Sequence, residues 1–317
     1  CSLWFWPLEH ADLLPTRDEF LLDMTLILEG NVLSSGADMF QRESLLGGAD
    51  PNKFDMFDHQ KSYGQVDIQT LKARSPRLQI VGEISKRSSF FHWPVELGDI
   101  LMVHDGFDIL VGNPPWIRIH WSEADTISDY DPIVVLRSLS RAQFRSVVAG
   151  ATRHENIRAL YLGSYSNFIA SQDFMGASQN FPANVGQKVN LYKCFIELSW
   201  KLCNNNGRVG LLHPDGIYDA PDGQELRRNL YPRLALHARF SNELKLFPDI
   251  GNRNHFSINV YRGDFAQELR FHHICNLFHP QTIDESYRHD GVGEVPEDCA
   301  PAFHINPSAP GARPQPR

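Results

Sequence analysis

Apolar residues along the chain follow two periods, and each period predicts a different kind of element. Residues 1–30 favour a helix, because "DEFLLDMTLILEG" carries one apolar face and ends at Gly30. A second helix is predicted for "NLYKCFIELSWKLCNNNG", where Asn190 can cap the first turn and the Asn-rich run ends at Gly207. Its apolar positions recur at intervals of four, three and four residues, at Leu191, Phe195, Leu198 and Leu202. "DGQELRRNLYPRL" predicts a further helix.

Short apolar runs bounded by turn residues predict strands around these helices. The runs are "FHWPVELGDIL", "FDILVG", "RVGLLHP", "HARFSNEL" and "HFSINVY". Residues 31–75 and 120–189 are more polar and irregular, with helical patterns around "DPIVVLRSLSRAQFRSVV" in the second stretch. Because strands alternate with helices, the sequence predicts an α/β protein with helices covering a largely parallel sheet.

Composition narrows the class of protein without naming its chemistry. The 317 residues suffice for one large domain or two ordinary ones. No apolar run approaches the roughly 20 residues that span a bilayer, and "CSLWFWPLEH" lacks the features of a signal peptide, so no membrane partner is predicted. Five scattered cysteines without a CxxC pair favour free thiols in a reducing, cytoplasmic setting. None of the 14 histidines has a HExxH-like spacing, so no metal site is predicted.

The net charge of −8 bears on the choice of partner. A self-sufficient nucleic-acid binder usually carries a basic face, because phosphate contacts supply most of its non-specific affinity. Basic clusters such as Lys72-Ala73-Arg74 and Arg227-Arg228 are equally compatible with solvated helix faces. A DNA-binding surface is therefore expected to be local or to lie in another part of the protein.

The segment "GFDILVGNPPWIRI" reads as a buried strand that runs into two prolines and a tryptophan. Ligands bind at the carboxyl ends of strands in open α/β sheets. Proline fixes its own φ near −65° and favours an extended residue before it, so Asn113 and Pro114 are constrained together. The Asn113 side-chain oxygen and the Pro114 carbonyl can then face outward as rigid acceptors, with Trp116 as a flat surface beside them. Two acceptors and an aromatic plate suit a planar ring that carries an NH₂ group. The alternative is a rigid turn with a core tryptophan.

Together with "GDIL", "NLYKCFIELSWKL", "GRVGLLHPDGIYD", "LRRNLY" and "FPDIGNRNHFSINVY", this motif resembles the amino-methylating DNA methyltransferases. The likeness is to the large adenine-N6 enzymes of type IIG restriction-modification and of BREX (PglX-type) phage-defence systems, and it covers roughly residues 1–262. It implies a class I methyltransferase fold (Rossmann-like, a mostly parallel sheet with helices on both faces), S-adenosylmethionine as donor, and an adenine flipped out of double-stranded DNA. Other subunits of a defence system are possible partners.

The resemblance assigns roles to individual residues. Asn113 and Pro114 would accept hydrogen bonds from the target amine, Pro115 would stiffen the turn, and Trp116 would stack on the flipped base. Asn113 would also face the cofactor.

Three further positions match the family less specifically. Asp99 in "GDIL" would meet the adenine of the cofactor, although a helix cap or surface turn explains it as well. Phe256 would form a second aromatic wall for the base, against the alternative of a core strand residue. Asn190 would lie near the cofactor, and plain helix capping explains it equally.

One departure from the family pattern concerns completeness. The glycine-rich cofactor loop is missing, since "GGAD" at 47–50 and "GVG" at 291–293 follow no convincing strand. The chain is therefore expected to be a methyltransferase fragment, incomplete on its amino-terminal side. The predicted division is 1–119 up to the turn, 120–189 an insertion, 190–262 the second half of the domain, and 263–317 a following region with a disordered Pro-rich tail.

Two groups of alternatives stay open. The same turn serves enzymes that methylate cytosine N4, adenine in RNA or a glutamine amide, although cytosine enzymes more often carry Ser in place of Asn113. The chain could instead be a non-catalytic methyltransferase-like scaffold in a defence complex, which the missing glycine loop favours and the intact Asn-Pro-Pro-Trp motif disfavours.

Overall fold

The computed structural model describes residues 1–29, 75–137, 139–289 and 292, which belong to two compact units. The first comprises Cys1–Phe91 and Ser122–Ser171, and the second His92–Trp121 and Gln172–Arg317. Residues 30–74, which include the predicted loops and "GGAD", and residues 293–317, which include the Pro-rich tail, lie outside the described residues.

The helices among the described residues are α1 (Arg17–Glu29), α2 (Pro76–Ser88), α3 (Trp93–Glu96), α4 (Gly98–Val103), α5 (Glu123–Ser128), α6 (Ile133–Leu136), α7 (Arg141–Ala151), α8 (Glu155–Gly176), α9 (Leu191–Leu202), α10 (Gly216–Asp219), α11 (Gln224–Leu230) and α12 (Gln281–Arg288). The strands are β1 (Phe107–Gly112), β2 (Cys203–Pro214), β3 (Leu234–Ser241), β4 (His255–Arg262) and β5 (His272–Leu277). Short 3₁₀ turns occupy Ser2–Phe5, Leu8–Leu13, Pro182–Asn184, Tyr231–Arg233 and Asn242–Leu244.

The secondary-structure elements of the first unit, among its described residues, are all helices. Ile127, Val134 and Ala151, from α5, α6 and α7, form its buried cluster. α7 begins with a capping box, in which Ser140 Oγ accepts from the Gln143 N–H and the Gln143 side chain accepts from the Ser140 N–H at 3.0 Å. These helices confirm the helical pattern expected between residues 120 and 189.

Two local predictions for the second unit are wrong. "FHWPVELGDIL" forms the short helix α3 and most of α4 rather than a strand, and Val95 is 80% exposed, so this run does not mark a buried strand. The Asn-rich run after α9 does not end the helix in a loop, because β2 already begins at Cys203. A Cβ atom at Gly207 would meet the Phe107 carbonyl oxygen at 2.7 Å, so glycine permits β1 and β2 to approach there.

The second unit is built on a mixed sheet. Within the described residues the sheet has five strands in the order β1-β2-β4-β3-β5. β1 pairs in parallel with β2, and β3 with β5, whereas β4 is antiparallel to both of its neighbours. The α/β architecture is confirmed. The expected largely parallel sheet needs a correction, because the reversed strand β4 lies in its centre and makes half of the pairings antiparallel. The sheet also continues past residue 262 into β5.

The sheet separates two apolar clusters on its opposite faces. One joins Tyr192, Ile196 and Trp200 of α9 to Val209 and Leu211 of β2, and also includes residues of α10, α11, β3 and β4. The other contains Ala238, Phe240, Phe256, Ile274 and Leu277, with Ile283 of α12 packed against it. Alternate residues of β2 and β4 therefore face different layers, as the two-residue period of a strand requires.

A polar network is buried on the α9 face of the sheet around His213, whose side chain is fully buried. Its Nδ1 lies 2.9 Å from the Pro214 carbonyl oxygen, and its Nε2 lies 2.9 Å from Asn259 Nδ2. Because the amide NH₂ group can only donate and the carbonyl can only accept, these two partners place the proton of a neutral ring on Nδ1. Tyr218 completes the chain by donating to Asn259 Oδ1 at 2.6 Å. Burial lowers the pKa of His213 to about 4.

Asp215 extends this polar layer at the end of β2. Its carboxylate lies 2.8 Å from His237 Nε2 and 2.9 Å from Arg239 Nε. Burial alone would raise the pKa of Asp215, but the hydrogen bonds and charges supplied by His237, Ser257 and Arg239 lower it overall. These contacts join the residue that follows β2 to two side chains of β3.

We expect His213→Gln to reduce the pH dependence of stability. The pKa of His213 is about 4 in the folded protein against 6.5 for an ordinary histidine, so between these values the unfolded chain binds the extra proton. The free energy of unfolding should fall by about 1.4 kcal/mol per unit as pH drops through this window, and by about 3 kcal/mol in total. Urea unfolding between pH 7 and 4 measures this slope. The variant should lose it, whereas His120→Gln, an exposed control, should keep it; equal slopes would contradict the buried neutral histidine.

Candidate functional site

The Asn-Pro-Pro-Trp turn follows β1 directly, at the carboxyl end of the strand, as the sequence predicted. The predicted burial of this strand is wrong, because β1 is an edge strand on which Ile109 and Val111 are 70% and 83% exposed. Asn113 and Pro115 are exposed, Pro114 is buried between them, and Trp116 is half-buried. The turn therefore presents the Asn113 side chain to solvent while its second residue is held in the protein. β1 lies at one edge of the described sheet, beside β2.

The Trp116 ring is held by one hydrogen bond and by two aromatic contacts. Its indole N–H donates to the Leu212 carbonyl of β2 at 3.2 Å. The ring lies 4.9 Å from Phe247 and 5.9 Å from Phe256, measured between centroids. Phe247 and Phe256 meet edge to face at 4.9 Å. Trp116 is thus a rigid part of the apolar cluster on its side of the sheet, with part of its surface still accessible.

A cavity of about 290 Å³, the turn cavity, opens at this position. One wall is the turn itself, from Asn113 to Trp116, and the other is the loop segment from Phe247 to Ile250. Its size lies near the lower end for small-molecule sites. The segment Phe247–Ile250 belongs to the stretch that resembles the methyltransferases, but the sequence did not predict that Phe247 or Asp249 would lie at the site. Two features of the sequence could have indicated this segment: its position after a predicted strand and its Phe-Pro-Asp composition.

Asn242 holds the second wall in place. This residue is fully buried, and its side-chain amide donates to the carbonyls of Phe247 and Ile250 at 2.9 Å each. Its side-chain oxygen accepts from the Phe247 N–H at 3.0 Å. One side chain therefore satisfies three backbone groups and closes the loop between β3 and β4. Asn242 is a positioning residue that the sequence analysis missed.

Asn190 lies beside the chain that leaves the turn. It forms an isolated antiparallel bridge with Arg118, and the Leu191 N–H donates to the Ile117 carbonyl at 3.0 Å. The expected helix cap is absent, since the Asn190 side chain makes no capping hydrogen bond at the start of α9. Its Oδ1 is buried and has no hydrogen-bond partner among the described residues. Plain capping therefore does not explain this asparagine, whose free acceptor belongs to a residue bridged to Arg118, two residues after Trp116.

The other two residues predicted to belong to the site, Asp99 and Phe256, do not line the turn cavity. Asp99 is exposed in the first turn of α4. Phe256 is 4% exposed and stacks on Phe240 at 5.3 Å between centroids. It packs against Trp116 but does not line the turn cavity. Phe247 is the aromatic residue that lines the cavity together with Trp116. Their predicted roles toward cofactor and base stay predictions.

Comparison with known proteins gives little guidance. No protein-family model and no curated protein matches the sequence. Among solved structures, the chain is similar to a protein from Vibrio vulnificus YJ016 described as a modification subunit of a putative type I restriction enzyme, with 10% identity and a TM-score of 0.26. The match covers 68% of this chain and 54% of that protein, so the chain spans about half of its length. At this TM-score the functional conclusion depends on the residues of this chain alone.

The described residues contain no group of three or more His, Cys, Asp and Glu side chains able to hold a metal ion. No helix in the described part of the chain has the length and apolar character needed to cross a membrane. The four cysteines that the structure describes, Cys1, Cys194, Cys203 and Cys275, are free thiols. Cys299 lies outside the described residues.

We expect Asn242→Ala to destabilise the second unit and to loosen the turn cavity. The substitution removes three buried hydrogen bonds, which corresponds to about 3 kcal/mol of unfolding free energy. Asn242→Asp should lose most of the same amount, because a carboxylate cannot donate to the two carbonyls. Urea unfolding checks the loss. Asn252→Ala, at an exposed position of the same loop, should stay within about 0.5 kcal/mol of the parent protein; similar values for both variants would contradict the positioning role.

Proposed function

We propose that this chain carries the catalytic turn of an S-adenosylmethionine-dependent methyltransferase that methylates the N6 amine of adenine in DNA, in a bacterial restriction-modification or phage-defence system. The observation that supports it is the turn cavity: Asn113, Pro114 and Trp116 line one concave site at the carboxyl end of a strand. This is where α/β sheets bind ligands. A class I methyltransferase fold is part of the proposal.

The proposed chemistry needs only positioned acceptors. An adenine amine is a poor nucleophile, because its lone pair is delocalised into the ring. Hydrogen bonds from its two N–H groups to Asn113 Oδ1 and the Pro114 carbonyl would localise this pair on nitrogen. Pro114 is buried and Pro115 follows it, so the acceptors are preorganised and lose little entropy on binding. Trp116, fixed by its hydrogen bond to Leu212, would offer a flat surface to the base.

The residues near the turn fit the proposed cofactor in one respect. The unpartnered, buried Oδ1 of Asn190 is an acceptor suited to an ammonium or amino group, and the exposed Asn113 adds a second polar contact. Asp99 remains the proposed partner of the cofactor's adenine. When bound, S-adenosylmethionine supplies a methyl group on sulfonium, whose transfer to the amine leaves S-adenosylhomocysteine and releases one proton. The residues of this chain would orient the amine and exclude water around it.

Asn113→Ala is expected to lower methyl transfer by about a hundredfold to a thousandfold, because loss of one preorganised polar group costs about 3 to 4 kcal/mol in the transition state. The measurement uses tritiated cofactor and duplex DNA with the protein as it is naturally produced. Trp116→Ala should cost about 1 to 3 kcal/mol in base capture, and Trp116→Phe should recover much of it. Asn252→Ala is the matched control and should keep full turnover.

The outcomes separate the alternative functions. Undiminished turnover by Asn113→Ala would show that the motif is only a turn. Methyl groups recovered on cytosine N4, on RNA or on a glutamine amide would retain the mechanism and replace the substrate. A protein without turnover on any flat amine would be the non-catalytic scaffold.

Asn190→Ala should weaken S-adenosylmethionine binding by about tenfold or more, since a hydrogen bond to a charged group contributes about 1.5 to 3 kcal/mol. Isothermal titration calorimetry measures this change. Asn276→Ala, an exposed asparagine of β5, is the control. An unchanged dissociation constant in Asn190→Ala would remove Asn190 from the cofactor site.

A further inference from the structure

A second cavity lies at the opposite end of the same sheet, where β2 and β3 begin. It measures about 300 Å³ and is called the amino-edge cavity here; its lining consists of Pro182, Ala183, Glu197, Trp200, Lys201, Glu225, Asn229 and Arg233. Trp200 is near the end of α9, just before β2, and Arg233 directly precedes β3. The Asn-Pro-Pro-Trp turn instead follows the end of β1, which runs parallel to β2. The two cavities are therefore separated by the length of the strands.

Buried hydrogen-bond donors in this lining lack acceptors. Trp200 is 8% exposed, and its indole Nε1 has no hydrogen-bond partner among the described residues. The same holds for Nε and Nη1 of Arg233, which are both buried. Buried polar groups are nearly always hydrogen-bonded in folded proteins, so three unpartnered donors in two adjacent side chains call for an acceptor.

One cation of the lining has no direct ion pair among the described residues. Glu197 is balanced by Lys201 at 3.1 Å and also accepts from Asn184 Nδ2 at 2.9 Å. Glu225 pairs with Arg228 at 3.3 Å. Arg233 has no ion pair within 4.0 Å in the described part of the chain, and the carboxylate of Asp264 attracts it only over a longer distance. The acidic residues of the lining are thus already engaged, and the positive charge of Arg233 is available to a ligand.

Aromatic rings hold the Arg233 guanidinium in one orientation. Its central carbon lies 4.1 Å from the centroid of Phe265 and 5.5 Å from that of Trp200. These contacts stabilise the cation over the ring faces and leave its edge for hydrogen bonding. A guanidinium fixed in this way favours an oxyanion, because each unpartnered N–H can donate one charge-assisted hydrogen bond to a carboxylate or phosphate oxygen.

We propose that the amino-edge cavity binds a small anionic ligand through a carboxylate or phosphate group, which accepts from Arg233 and from the Trp200 indole. Pro182 and Ala183 provide the apolar side of the site. The site is independent of the turn cavity and of the chemistry proposed there. A ligand bound here joins α9 to the start of β3, and its binding should raise the melting temperature of the protein.

The test uses ¹⁵N-labelled full chain and follows the indole N–H resonances of the six tryptophans during titration. Trp200→Phe assigns the Trp200 signal. Inorganic phosphate and acetate are the two probes, and sodium chloride at equal ionic strength is the reference. We expect a saturable shift of the Trp200 signal with at least one probe, and the stronger probe identifies the source of the oxyanion. The Trp116 signal should not move, because its N–H already donates to Leu212.

Arg233→Met keeps an apolar stem and removes the charge, so it should weaken binding by about tenfold or more. Arg253→Met, at an exposed arginine of the loop between β3 and β4 and outside the lining, is the matched control and should bind as the parent protein does. Should Arg233→Met fail to fold, Trp200→Phe decides, with a loss of about threefold to tenfold in the melting-temperature titration. The proposal is overturned if phosphate and acetate act like chloride, or if Arg233→Met binds unchanged.

Discussion

The hydrogen bond from the Trp116 indole to the Leu212 carbonyl joins the turn after β1 to the neighbouring strand. The bond itself contributes only about 1 kcal/mol. Its importance lies in what it aligns: the tryptophan can make it only when β1 and β2 are paired and the two prolines direct the chain across the end of β2. Phe247 and Phe256 then pack on the same ring, so the turn, the loop and the sheet share one apolar support.

Asparagine side chains organise the backbone around this support. Asn242 bonds three backbone groups and sets the loop from Phe247 to Ile250 opposite the turn. Asn259 links Tyr218 to His213 under the sheet. An amide suits both tasks, because it donates and accepts at once and carries no charge that burial would penalise. Among the described residues, the buried side-chain oxygens of Asn190 and Asn184 lack such a partner, and Asn190 lies beside the chain that leaves the turn.

The two edges of the sheet differ in chemistry. The carboxyl edge presents an exposed amide, an aromatic surface and Asp249, a set suited to a polar planar substrate. The amino edge presents a fixed guanidinium with unused donors, a set suited to an oxyanion. A sheet covered by helices permits both sites. Its strands begin and end in loops at opposite ends of the sheet, and the apolar core lies between these two ends.

The sequence by itself determined the elements whose signal is local. The apolar spacing from Leu191 to Leu202 was sufficient to predict α9, and short apolar runs were sufficient to predict β1, β3 and β4. The two successive prolines were sufficient to predict a rigid turn. Tertiary structure decided the rest. "FHWPVELGDIL" became helical although its apolar residues suggested a strand, and the central reversed strand was not visible in a linear pattern, since pairing direction depends on partners far along the chain. Asn242, Phe247 and Arg233 acquired their roles for the same reason: a buried amide or an unpaired guanidinium has meaning only through neighbours that folding brings together.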